Sequence, residues 1–267
     1  MVDALKKAVK TMTHRIAEIL ENNEPSIYLY GSTVLDDFKP GWSDIDILVL
    51  TQKPITQEQA ERLLFLRQTL LREERSNPYY RSFEGGILSL EGFLTKAPDT
   101  VVYWGTSGER ITDRYRLDSF GLMQLLDSGI LLRGREIRDS LNIPTYDDLK
   151  ADVRRHYQSI RQHAQKTGRD LYSYGWLLDI SRCLYTLRTG RIIAKTAAGE
   201  WALRENLCPC AGVLARAVEI RKDPLRFLID ERTFDDAEKL GDSVQMYADS
   251  LACFLQEEQE LDYGNQI

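Results

Sequence analysis

The chain has 267 residues, 43% of them apolar and 28% charged, with a formal net charge of −6. That length fits one large or two ordinary globular domains, and no run approaches the ~20 apolar residues needed to cross a bilayer. The clusters Arg154-Arg155 and Arg221-Lys222 are surrounded by acidic residues. The basic face that neutralises nucleic-acid phosphates is therefore missing, and neither a nucleic acid nor a membrane is expected as a partner.

The opening Met1-Val2-Asp3-Ala4-Leu5-Lys6-Lys7 runs straight into an amphipathic pattern, without the apolar block of a secretory signal, so a cytoplasmic location is expected. Leu5, Val9, Met12, Ile16 and Ile19 recur at helical spacing and predict a helix ending near Asn22-Asn23, where Glu24-Pro25 breaks it. Residues 26–30 read as a strand closed by Gly31-Ser32, and a loop with Asp36, Asp37, Pro40 and Gly41 follows. Residues 45–51 form a second strand, 57–75 a long charged helix introduced by Pro54 and Thr56, and 83–90 a third strand. Residues 100–116 carry no decisive pattern; 120–126 reads as helix, and Ile130-Leu131-Leu132 is a short apolar run. From Tyr146 onward periods near 3.6 dominate, predicting helices over 146–166, 171–189, 196–206, 212–222 and 234–259. The expected fold class is α+β. A domain over 1–145, with a small mixed sheet flanked by helices, precedes an all-helical domain over 146–267, with Pro144 near the border.

Cys208-Pro209-Cys210 has one intervening residue, too few for the usual zinc or redox spacing, and no second pair exists. All four cysteines (Cys183, Cys208, Cys210, Cys253) are expected to be packing residues, and His14, His156 and His163 form no ligand group.

The stretch that carries chemistry is Tyr30-Gly31-Ser32 followed by Ser43-Asp44-Ile45-Asp46-Ile47-Leu48-Val49. Asp44 and Asp46 are two apart at a strand start, so their carboxylates leave on one side. Such a pair suits magnesium, which takes a few carboxylates and completes its shell with water and phosphate oxygens. Gly31-Ser32 directly after a strand lets backbone N–H groups and a hydroxyl approach a triphosphate. Alone, an Asp-x-Asp solvates a strand end and a Gly-Ser makes a turn. Together they describe a phosphate cradle beside a metal pair, which in-line attack at phosphorus requires.

This pattern looks like the signature of the DNA polymerase β-type nucleotidyltransferase superfamily. Its members carry a third acidic residue on a neighbouring strand, and Glu84 in Ser82-Phe83-Glu84-Gly85-Gly86 matches it. More of the chain resembles the bacterial streptomycin/spectinomycin adenylyltransferases: Tyr28-Leu29-Tyr30-Gly31-Ser32, Phe38-Lys39-Pro40, Leu178-Asp179-Ile180-Ser181-Arg182, Thr189-Gly190-Arg191-Ile192, Lys195 and Glu200-Trp201-Ala202. The resemblance implies transfer of AMP from ATP to a hydroxyl of a small aminoglycoside-type acceptor, with one or two Mg²⁺ ions. It assigns Asp44, Asp46 and Glu84 to metal, Glu84 as catalytic base, and Gly31, Ser32, Ser43, Arg182 and Lys195 to the nucleotide. Arg182 also stands three residues after Asp179, at ion-pair spacing.

Two positions depart from the family. Gly41-Trp42 lengthens the turn before Ser43, and Tyr172, with Asp170 nearby, stands where the family has an acidic acceptor-binding residue. Trp104 matches the family's stacking aromatic, although it reads equally as core. Tyr172, Trp104 and Asp179 are thus the candidate acceptor contacts, and Glu200, Asp230 and Glu231 are further carboxylates for a polycation. The alternative reading is a protein-modifying nucleotidyltransferase that adds AMP to a partner, although no obligate protein partner is evident.

Overall fold

The computed structural model describes residues 3–105 and 108–264, with backbone alone for 257–264. Met1 and Val2, the start of the opening segment, lie outside the described residues. The chain divides into two compact units, Met1–Phe38 with Ser43–Ile143, and Lys39–Trp42 with Pro144–Ile267. Among the described residues no helix is long and apolar enough to cross a membrane.

In the first unit the order is α1 (Asp3–Ile19), β1 (Ser26–Tyr30), β2 (Ile45–Thr51), α2 (Gln57–Leu64), α3 (Leu66–Glu73), β3 (Phe83–Ser89), α4 (Leu90–Thr95), β4 (Val101–Gly105), β5 (Gly108–Thr112), α5 (Ser119–Ser128) and β6 (Ile130–Arg133). The strands form a mixed six-stranded sheet in the order β5-β4-β3-β2-β1-β6, with β2 and β3 parallel and the other neighbours antiparallel. Alternation along each strand splits the sheet into two faces. Ile27, Leu29, Ile45, Ile47, Val49, Ile87, Val102 and Trp104 join α1, α2 and α3 in one core. Tyr28, Tyr30, Leu48, Leu50, Leu88 and Val101 point the other way, into a smaller core with Leu125 of α5 and Ile137.

In this unit two helices differ from their sequence reading, for local reasons. The first ends at Ile19, and a 3-10 turn covers Glu21–Asn23. The buried Asn23 amide is drawn off to the Lys53 and Pro54 carbonyls, and its own oxygen accepts from Gln59 at 2.7 Å. The single helix expected over 57–75 is broken at Phe65, where the Trp104 indole N–H donates to the Leu63 carbonyl. A side chain entering the helical ladder is an ordinary cause of such a kink. Residues left open in the sequence supply the outer hairpin β4–β5, with Gly105 opposite Gly108.

The second unit contains α6 (Tyr146–His163), α7 (Gly175–Thr189), α8 (Lys195–Arg204), α9 (Ala211–Lys222), α10 (Pro224–Phe227), α11 (Glu231–Ala237) and α12 (Gly241–Gly264). A Thr145–Asp148 capping box starts α6, and Gly190 at φ 64° ends α7 in the left-handed conformation. The long final helix expected over 234–259 is two helices. Between them the Leu240 N–H donates to the Thr167 hydroxyl, and a Cβ at Gly241 would lie 2.2 Å from the Gln165 carbonyl oxygen. The chain leaves the α11 axis to seat on that loop.

Candidate functional site

Strand pairing brings the two strand-borne carboxylates together. Asp46 on β2 is the register partner of Glu84 on β3 and, across the other edge, of Tyr30 on β1. Partners in register project to the same face, so Asp46 and Glu84 stand side by side on the face opposite α1–α3, beyond the apolar Leu48, Leu50 and Leu88. Glu84 Oε1 accepts a hydrogen bond from the Tyr103 hydroxyl at 3.1 Å, and the Arg110 guanidinium lies 4.2 Å from the Tyr103 ring centre. A Cβ at Gly105 would fall 2.2 Å from the Tyr103 hydroxyl and 2.7 Å from Glu84 Oε1, so glycine is what leaves room for that pair. Burial first, then Tyr115, Asp46, Asp118 and Glu84, push the Tyr30 hydroxyl well above its ordinary pKa. Burial likewise pushes Tyr115 up. Neutral phenols therefore border the carboxylates, an environment that can donate hydrogen bonds without adding charge.

The turn Gly31–Thr33 closes β1 against the same carboxylate. Gly31 has φ 70°, and a Cβ there would meet Asp46 Oδ2 at 2.0 Å, so both conformation and space call for glycine. The Val34 and Leu35 N–H groups both return to the Gly31 carbonyl at 3.2 Å, and the Ser32 hydroxyl donates to the Asp44 carbonyl at 3.5 Å. Ser43 is buried and Asp44 half-buried just ahead of β2. The Thr33 hydroxyl oxygen is buried and has no hydrogen-bond partner among the described residues. Buried polar atoms of this kind usually have a partner, so the Thr33 hydroxyl is an exception within the turn.

Among the described residues no three His, Cys, Asp or Glu side chains group closely enough to hold a metal ion. Asp44, Asp46 and Glu84 are therefore not a closed three-ligand cage. Magnesium does not need one, since it usually takes one or two carboxylates and fills its shell with water and phosphate oxygens. Asp44 and Asp46 fit that requirement as hard oxygen donors, and the missing Cβ at Gly31 lets the Asp46 carboxylate pack directly against the turn.

In the second unit Arg182 and Lys195 meet at one acid. Asp179, one turn before Arg182 on α7, lies 3.1 Å from Arg182 and 3.0 Å from Lys195, the first residue of α8. Burial is the largest influence on the Asp179 carboxyl and pushes it up. Lys195, then Arg182 and His156, outweigh it, and the net shift is downward. The ion pair expected from the three-residue spacing is thus present, with Lys195 as its second cation.

Two family descriptions match in tandem. The nucleotidyltransferase domain matches residues 14–76, and the C-terminal domain of aminoglycoside adenylyltransferases matches residues 145–241. The chain carries a nucleotidyltransferase domain followed by a C-terminal domain of the aminoglycoside adenylyltransferase family. The nucleotidyltransferase match contains Gly31, Ser32, Ser43, Asp44 and Asp46 and ends before Glu84; the adenylyltransferase match contains Tyr172, Asp179, Arg182 and Lys195. The fold is similar to that of spectinomycin adenyltransferase AAD(9) from Enterococcus faecialis, solved with ATP and spectinomycin. The TM-score is 0.60 at 17% identity, over 90% of this chain and 99% of that one.

Several sequence expectations for this chain need correction. Trp104 is fully buried in the core under α1–α3, with its indole bonded to Leu63, so it has no surface on which an acceptor can stack. Asp170 accepts from the Ser173 N–H at 3.0 Å and caps the turn before α7. Glu200 pairs with Lys222 at 2.6 Å, Asp230 accepts from Thr233 at 2.6 Å, and Glu231 pairs with Arg169. Each of these carboxylates thus has a neighbour within its own unit. Cys253 is exposed and Cys210 half-buried, so of the four cysteines Cys183 and Cys208 alone are buried. Tyr172 is exposed and meets Trp42 edge-on at 6.3 Å, which joins the two places where the sequence departs from the family. The sequence reading missed Tyr103, Tyr115 and Thr33. Tyr103 lies in the stretch whose strands were not legible, and Tyr30 was read as part of the Tyr30-Gly31-Ser32 motif without a role of its own.

Proposed function

We propose that this chain transfers AMP from ATP to a hydroxyl of a small aminoglycoside-type acceptor, in the manner of streptomycin or spectinomycin modification, and releases pyrophosphate. The observation that carries the reading is the register pairing of Asp46 with Glu84, beside a turn in which a residue larger than Gly31 would be strained and would displace the Asp46 carboxylate. The likeness to an enzyme solved with ATP and spectinomycin, and the match to the adenylyltransferase C-terminal domain, favour this class of acceptor.

Asp44 and Asp46 would hold one or two Mg²⁺ ions, with Glu84 as a neighbouring carboxylate. When bound, the metal neutralises charge on the triphosphate. Ser32, Ser43 and the Gly31 turn bind phosphate oxygens, with the Thr33 hydroxyl as a further donor. Arg182 and Lys195 hold the phosphates that leave as pyrophosphate. Glu84 takes the proton from the acceptor hydroxyl as its oxygen attacks the α-phosphorus, and Tyr103 keeps the carboxylate aimed by its bond to Oε1. The oxygen–phosphorus bond to pyrophosphate breaks on the far side, and its new charge is met by the cations.

The test is pyrophosphate release from ATP and Mg²⁺ across aminoglycosides, spectinomycin and lincosamides. Release that depends on an aminoglycoside or spectinomycin is the expected outcome. Release with no small acceptor, accompanied by labelling of proteins in a lysate, would favour modification of a partner protein instead.

A further inference from the structure

Cys208 and Cys210 stand in the turn between α8 and α9, outside the groups assigned to nucleotidyl transfer. Their Sγ atoms are 3.4 Å apart, and Cys210 Sγ also reaches the Ser243 carbonyl at 3.5 Å. Pro209 between them fixes its own φ and stiffens the turn, so the sulfurs are kept adjacent by the backbone. Cys210 is the N-cap residue of α9, its carbonyl accepting from Val213 and Leu214 at 2.9 and 3.1 Å. The Cys210 sulfur makes no capping hydrogen bond to α9, but it lies at the N-terminal end of a twelve-residue helix, where the dipole favours negative charge. Hydrogen bonding from Cys208 pushes the Cys210 thiol down, while the same bond and burial push Cys208 up. Cys210 is half-buried and Cys208 buried, so Cys210 is the more exposed residue of the pair. No group of three or more His, Cys, Asp or Glu that could hold a metal occurs among the described residues, so the pair is not part of a larger ligand set.

We infer that Cys208 and Cys210 form a reversible redox site, with Cys210 the sulfur attacked by hydroperoxides and Cys208 the resolving thiol. The Cys210 thiolate attacks the outer peroxide oxygen, the O–O bond breaks, and the departing oxygen leaves as water or an alcohol after taking a proton. Cys210 is then a sulfenic acid. Cys208 attacks that sulfur, its proton leaves with the hydroxide as a second water, and the S–S bond forms. Two thiols are oxidised and one peroxide is reduced. The sulfurs need only close from 3.4 Å to the about 2 Å of a disulfide. A bridge over a single residue, at a half-exposed position, belongs to the readily reduced kind.

The experiment treats the full chain with equimolar hydrogen peroxide, alkylates the remaining thiols and maps them by peptide mass. The expected result is loss of both alkylatable thiols from the peptide carrying Cys208 and Cys210, as an intrachain bridge that dithiothreitol reverses. Cys208→Ser should leave Cys210 as a sulfenic acid that dimedone traps, and Cys210→Ser should leave Cys208 alkylatable. Cys208 and Cys210 both remaining alkylatable after the exposed Cys253 has been oxidised would overturn the inference. Bridges from Cys210 to Cys183, or to another chain, would do the same.

Discussion

Asp46 and Glu84 are held where they are by strand pairing, whereas Arg182 and Lys195 are held by a third side chain, Asp179. The first arrangement is fixed by backbone register, so a carboxylate there can be neutralised without moving its neighbours. The second is a side-chain cluster in which each charge keeps the others in place. Chemistry and stability should therefore separate at the sheet and be entangled at the helices, and substitutions can break or sharpen that contrast.

The largest effect is expected at Asp46. Asp46→Asn should lower turnover by about 10³-fold, or about 4 kcal/mol of transition-state stabilisation, while the thermal midpoint stays near that of the parent. A large drop in the midpoint would erase the contrast. Glu84→Gln should lower turnover by about 10²-fold or more with the nucleotide KM nearly unchanged, as befits a base rather than a binding group. Asp179→Asn should instead cost about 1–3 kcal/mol of folding stability, read by denaturant unfolding, because two cations lose their shared acid. Its pH dependence has a definite sign. The Asp179 carboxyl is held below its ordinary value in the folded chain, so the parent's advantage is full above that ordinary value. The advantage is lost as pH falls through the depressed value, and parent and variant should converge in acid. The smallest effect is expected for Tyr103→Phe, which removes the hydrogen bond to Glu84. Turnover should fall by about three- to tenfold, at about 1 kcal/mol, with the pH profile of kcat displaced.

Legibility followed the same division. The strand-borne pattern from Gly31 to Val49 was readable because two strands of branched apolar residues bracket a Gly-Ser turn and two spaced carboxylates. Glu84 was singled out by the family resemblance, on a strand read from its apolar run, but its register with Asp46 follows from the parallel pairing of β2 and β3, which no local pattern specifies. The β4–β5 hairpin escaped because its outer strand is partly exposed and mostly polar, and the stretch around Tyr103 therefore lacks a bracketing apolar run. Trp104 matched a surface role by alignment, while alternation in β4 turns it into the core. The Arg182–Asp179 pair was legible from helical spacing; Lys195 joining it depends on how α7 and α8 pack, a tertiary fact.

The most direct test of nucleotidyl transfer is the mass of the acceptor after incubation with ATP and Mg²⁺. The expected product is spectinomycin or streptomycin heavier by one adenylyl group, formed by the parent chain and abolished in Asp46→Asn. An acceptor that gains a single phosphate, or one adenylylated equally well by Asp46→Asn, would contradict it.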